Sequence, residues 1–207
     1  GEVYKNIWLM DDDLCMFKRN DDLLLRKATQ EDIIEMFGLM HSTLQTVPLV
    51  GISTRLGNNR VTDDYDEINR VTRCYAINTE AFKKVGATFA PFNDFVCEDF
   101  HMTLCFLNAG YPNRILHTFA QEDVGGSNAN GGCSDYRNAE VQRRTALWMA
   151  EHHPEVSIQT KYSKVSWELK KLADGRSVRV DVNVQWKKAY KPKREKAKMN
   201  FGFMKKK

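Results

Sequence analysis

The apolar run Ile7-Trp8-Leu9-Met10 leads without a break into Asp11-Asp12-Asp13. That junction restricts the fold more than any other stretch of the chain. Four consecutive apolar residues read as a short buried strand. Three adjacent carboxylates at the end of such a strand repel one another and have few ways to escape burial, which is very costly for an unpaired charge. Two arrangements resolve this. Either the acids form a solvated turn or a helix cap, or they converge on a hard divalent cation such as Mg²⁺ or Mn²⁺, which prefers oxygen ligands and relieves their repulsion. Asp-x-Asp is short and common, so the motif alone leaves both open.

The rest of the chain alternates helical and strand patterns. Thr29-Gln30-Glu31-Asp32 resembles a capping box with Asp in place of Glu or Gln, and Ile33, Phe37, Met40 and Leu44 then share a helical face. Pro48 closes that helix. Leu49 to Ser53 reads as a strand, Gly57-Asn58-Asn59 as a turn, and Arg73 to Ile77 as another strand. Asn78 or Thr79 caps a short helix ending at Gly86. Val96 to Leu107 is helical, with Gly110 as its stop, and Arg114 to Phe119 is a strand. Gln121 to Asp135 is a long loop rich in Gly, Ser and Asn. Asn138 to His152 is a second long helix, halted by Pro154. Val165 to Leu169 and Val178 to Val184 alternate with period two around Asp174-Gly175, which predicts a β-hairpin. Strands mixed with helices indicate an α/β protein. There is no internal repeat.

Charge is unevenly distributed. Residues 187–207 carry ten basic side chains against the single acid Glu195, so this tail is +9; the net charge of +4 then leaves −5 for residues 1–186. Such a tail is drawn to polyanions by counterion release, unless it is simply a solvated end. The five cysteines are odd in number and lack CxxC spacing, which suggests buried free thiols and a reducing, cytoplasmic compartment. No apolar run is long enough to span a membrane, and no secretory signal is expected.

Several further groups offer chemistry. Glu98 and Asp99 open the helix at Cys97-Glu98-Asp99-Phe100-His101, either as favourable charges at a helix start or as a general base facing a cleft. His117 is either a satisfied core histidine or a neutral imidazole ligand beside carboxylates. Arg55, Asn58, Asn59 and Arg60 flank a turn and suit phosphate or base-edge contacts, or form an ordinary polar loop. Gly131, Gly132 and Arg137 would offer backbone amides and a guanidinium to a diphosphate; no Walker sequence follows them.

Taken together, these residues resemble a family. Leu9-Met10-Asp11-Asp12-Asp13-Leu14 is similar to the DxD motif of GT-A glycosyltransferases, and Glu98-Asp99, about 85 residues later, resembles the Glu-Asp pair that carries the base in inverting members. His117 lies where such enzymes often place a further metal ligand. The blocks at 10–14, 51–55 and 98–104 most resemble the phage TET-associated glycosyltransferases, thought to attach sugars to hydroxymethylated pyrimidines in phage DNA. The resemblance covers roughly residues 5 to 160.

It implies a GT-A mixed sheet flanked by helices. Only ten residues precede the acids, so the usual βαβαβ nucleotide-binding half is expected to be missing. The implied divisions are a catalytic portion over 1–162, a β-hairpin over 163–186 and a basic tail over 187–207. Asp11 and Asp12 would contact the nucleotide sugar, expected to be a UDP-sugar. Asp13, with Asp11 and His117, would hold Mn²⁺ or Mg²⁺. Asp99 would deprotonate the acceptor and Glu98 would orient hydroxyls. Arg55, Asn58, Asn59, Arg60 and the tail would hold modified DNA. Two alternatives remain. A phosphatase of the haloacid dehalogenase type also places acids after a strand, but Leu14-Cys15 does not suit its motif. A nucleic-acid-binding module would use the tail and leave the acids without a purpose.

Overall fold

In the central strands, period-two alternation sends side chains to two buried faces. The computed structural model describes residues 4–58, 61–123, 138–163, 170–171 and 177–192. Strands β1 (Asn6–Met10), β2 (Leu14–Arg19), β3 (Leu25–Lys27), β4 (Leu49–Thr54), β5 (Tyr65–Glu67), β6 (Cys74–Asn78) and β7 (Arg114–Asp123) form one mixed sheet. Its order is β1-β6-β4-β7-β2-β3, with β5 also paired to β7. The β4–β7 pair is parallel and the other pairs are antiparallel. β7 changes partner along its length: Arg114–Leu116 lies against β5, and Phe119–Asp123 against β2. A register shift between Ile52 and Ser53 marks that change.

Helices cover both faces. Val50, Ile52, Cys74 and Ala76 pack with Met36 and Met40 of α1 (Gln30–Thr43). Leu49, Tyr75 and Ile77 pack on the opposite face with Met102 and Phe106 of α4 (Glu98–Asn108). Gly51 also belongs to that second face, where an added Cβ would meet Val71 at 3.2 Å. The capping box at Thr29 forms as expected, with Asp32 returning the bond to the Thr29 N–H. The helix α3 (Thr79–Val85) is capped by Asn78 and ends at Gly86, whose φ of 64° suits glycine.

A third core joins α4 to the C-terminal elements. Leu104 and Leu107 pack with Ala146 and Met149 of α5 (Ala139–His152), Val156 of β8 (Val156–Ser163), Val182 of β10 (Ser177–Val184) and Ala189 of α6 (Trp186–Ala189). β10 pairs antiparallel with β8 over its full length, and β9 (Lys170–Lys171) adds a short rung to its other edge. The expected hairpin partner, 165–169, and the Asp174-Gly175 turn lie outside the described residues. Val156, Ile158, Thr160 and Tyr162 carry the same alternation and supply the longer partner strand.

Other expectations need correction. β1 is an edge strand rather than a fully buried one, and Trp8 is 37% exposed. Gly57 and Asn58 complete a short helix, α2 (Arg55–Asn58), rather than a turn. Gln121–Asp123 extends β7 because it pairs with Leu14–Met16; residues 124–135 of the expected loop lie outside the described residues. Among the described residues, no helix is long and apolar enough to cross a membrane.

Candidate functional site

Asp11-Asp12-Asp13 connects the end of β1 to the start of β2. The Asp11 N–H donates to the Arg73 carbonyl at 3.0 Å. Arg73 adopts φ 58°, a left-handed conformation that is costly for a residue with a Cβ. Its guanidinium donates to both Asp123 oxygens, at 3.0 and 2.8 Å. Asp123 faces Leu14, the first residue after the acids. The acid turn is thus pinned from both ends: Arg73 holds Asp11, and Asp123 pairs beside Leu14. The Asp11 carboxyl is held above its ordinary range, first by burial, then by Asp13, with Asp99 and Asp12 adding to the effect and Arg73 opposing it.

The second acid pair opens α4. Asp99 is buried, and its Oδ1 accepts the Phe100 N–H at 2.8 Å. Its Oδ2 accepts from Arg70 Nε at 2.7 Å and lies 2.6 Å from the second nitrogen, NH2. The Arg70 guanidinium lies over the Phe100 ring, 3.9 Å from its centroid. Glu98 folds back to accept the Cys97 N–H at 3.1 Å. Tyr75, on β6 opposite Leu9, reports how these segments meet. Its phenol is pushed up first by burial and then by Asp99, Glu98 and Asp11. One side chain therefore feels carboxylates from both ends of the expected site.

Two of the positive-φ residues adjoin these acids: Arg73 (φ 58°), whose carbonyl holds Asp11, and Cys97 (φ 153°), which precedes Glu98; Leu23, Ile68 and Asp94 are the other non-glycine ones among the described residues. Such conformations cost about 1–3 kcal/mol each and persist where surrounding contacts enforce them.

The remaining expected residues sit elsewhere. His117 is buried, with Nδ1 3.0 Å from the Asp63 carbonyl and Nε2 3.7 Å from Asp66. Asn58, also buried, accepts from Arg19 and donates to Ser53 Oγ at 2.6 Å and the His117 carbonyl at 2.8 Å. It clamps β2, β4 and β7 together and has no surface to offer DNA. Arg55 is matched by Glu122 at 2.6 Å and lies over Phe17. Asn59, Arg60, Gly131, Gly132 and Arg137 lie outside the described residues. His101, in the same block as Asp99, is a packing residue: its Nδ1 lies 2.9 Å from His153 Nε2, and Thr88 Oγ1 lies 3.2 Å from its other nitrogen. Burial, then the charges of His153 and His152, lower its pKa to about 4.

Among the described residues, no three of His, Cys, Asp and Glu are arranged to hold one metal ion, so Asp11, Asp13 and His117 form no three-ligand cage. An all-oxygen pair at Asp11 and Asp13 suits the other common mode. A small hard ion is then held by one or two carboxylates plus substrate phosphates and water. Sequence reasoning missed Arg70, Arg73, Tyr75 and Asp123. Only the three-residue spacing of the two arginines, between strand patterns, hinted at the first two. Comparison with family models, curated proteins and solved structures finds no match for this chain.

Proposed function

We propose that this chain acts as a metal-dependent, inverting GT-A-type glycosyltransferase. It would move a sugar from a nucleotide-sugar donor, expected to be a UDP-sugar, to a hydroxyl acceptor, with 5-hydroxymethylpyrimidine in DNA as the favoured acceptor. The observation supporting the reading is that one short segment ties both acid groups down: the Arg73 carbonyl accepts the Asp11 N–H, and Arg70, three residues earlier, bonds the Asp99 carboxylate.

Asp11 and Asp13 face the donor side. A bound Mn²⁺ or Mg²⁺ would neutralise the departing diphosphate, with Gly131, Gly132 and Arg137 as further donors to it. Asp99 is the base. Arg70 takes up its Oδ2, whereas among the described residues Oδ1 carries only the Phe100 N–H, which leaves its second lone pair for the acceptor's proton. Burial of Asp99 and the Arg70 and Phe100 contacts fix the carboxylate before the acceptor arrives, which lowers the cost of reorganisation. Glu98 would orient donor or acceptor hydroxyls.

The test is incubation with hydroxymethylated DNA, Mn²⁺ and a panel of sugar nucleotides, read by nucleoside mass spectrometry. Asp99→Asn and Asp13→Ala should each lose transfer, the former by about 10²–10⁴-fold, while retaining the wild-type circular dichroism spectrum. Undiminished transfer by Asp99→Asn would remove Asp99 from its role.

A further inference from the structure

Beside Asp99 lie Arg70, which pairs with it, and two lysines that have no acid partner among the described residues. Arg70 uses Nε and NH2 for Asp99, and among the described residues its NH1 edge has no partner. Its guanidinium rests on Phe100, and Phe100 lies 5.5 Å from Trp186. Trp186 begins α6, whose next two residues, Lys187 and Lys188, are exposed. Lys187 Nζ donates only to the Glu67 carbonyl, at 2.6 Å, and Lys188 has no ion pair among the described residues. Glu67 lies three residues before Arg70, so the contacts close a ring: Arg70, Phe100, Trp186, Lys187, Glu67. The Lys191 N–H donates to the Leu107 carbonyl of α4, and the basic stretch beginning at Lys193 follows directly in sequence.

We infer that Arg70, Lys187 and Lys188, with the half-buried rings of Phe100 and Trp186, form a track for a single polynucleotide strand, laid across the mouth of Asp99. Cations interleaved with aromatic faces are what such a strand requires. The cations follow the phosphates, and the rings accept bases regardless of sequence. Arg70 is a positioning residue here. One edge of its guanidinium fixes Asp99 and the other is left for a phosphate, so the base and the strand are registered against each other. This rests on the transferase reading for its purpose but not for its test, and it moves the acceptor surface away from Arg55 and Asn58.

The experiment measures binding alone. A fluorescein-labelled single-stranded 12-mer is titrated with the full chain by anisotropy, without sugar nucleotide or metal, across a range of salt. Each phosphate contact contributes about 0.7 to the slope of log K against log salt. Lys187→Gln/Lys188→Gln should therefore lower the slope by about 1.4, and Arg70→Gln by about 0.7, with affinity down roughly tenfold per variant. An abasic strand of equal length should bind about fivefold or more weakly. Slopes equal to wild type in both variants overturn the track. Heparin or phosphatidylserine vesicles binding as tightly as the 12-mer, and weakened equally by the same substitutions, overturn the polynucleotide assignment. Absence of sugar transfer with these binding results intact would defeat the transferase reading and leave the track standing.

Discussion

Arg73 offers a way to weigh backbone strain against an ion pair at one position. Its side chain is 30% exposed and that of Asp123 19%. The bidentate pair therefore lies between an exposed bridge, worth about 0.2–1 kcal/mol, and a buried one, whose loss costs about 3–5 kcal/mol; about 2 kcal/mol is a reasonable middle. Arg73→Ala loses the pair and keeps the left-handed backbone, so it should lose about 2 kcal/mol. Arg73→Gly loses the same pair but removes roughly 1–2 kcal/mol of left-handed strain. Glycine's greater unfolded-state freedom takes back about 0.5–1 kcal/mol. The glycine variant should thus be the more stable by about 1 kcal/mol, the reverse of the usual order of these residues in regular structure. For a chain of this length that is a Tm difference of about 2–4 °C. Urea unfolding measures both variants, with equal m-values required for the comparison. An alanine variant as stable as the glycine variant, or more so, would mean that the φ of 58° stores no strain.

Two further outcomes follow from the titrating groups. Because the Asp11 carboxyl is raised in the fold, its ionised form opposes folding at neutral pH, and this cost fades as pH falls through its folded value. Asp11→Asn should raise Tm at pH 7 in chelator, and Mn²⁺ should stabilise wild type more than the variant; a lower Tm for the variant in chelator contradicts the electrostatic account. His101 has a folded pKa near 4, below its ordinary value of 6.5. Its neutral form is the one that folds, so stability is fully present above pH 6.5 and declines as pH falls towards 4. Chemical denaturation at pH 7 and pH 5 should show that decline, and His101→Phe should flatten it.

Local signals were readable wherever one residue type does one job. The capping box at Thr29, the Asn78 cap, the Gly86 stop and the strands at 49–54 and 74–78 all follow from short-range rules. What the sequence concealed depends on pairing. β2 reads as four apolar residues followed by Lys18-Arg19, without alternation, and its place in the sheet is fixed by pairing with β7 on one edge and β3 on the other. β5 is only Tyr65-Asp66-Glu67, too short to signal a strand, and its one strand partner among the described residues is β7. The acids at 11–13 and 98–99 were visible as acids. Their mutual approach, and the arginines that meet them, were not, because Arg70 and Arg73 lie in an irregular segment whose backbone is bent by Ile68 and Arg73. Asn58 looked like a surface residue because Asn is usually polar and exposed, but here three strands need its amide.

Among the described helices, α4 alone supplies buried residues to two cores. Met102 and Phe106 face the sheet, while Leu104 and Leu107 face α5 and β8. The carboxylate of Asp99 stands on the first turn of this doubly gripped helix, so its time-averaged position is governed by the rigid body of the protein rather than by a loop. Fluctuations that displace it must loosen two hydrophobic clusters together. Such motions belong to the slow, high-free-energy end of the native ensemble. In hydrogen exchange, the amides of α4 should accordingly be among the last to open.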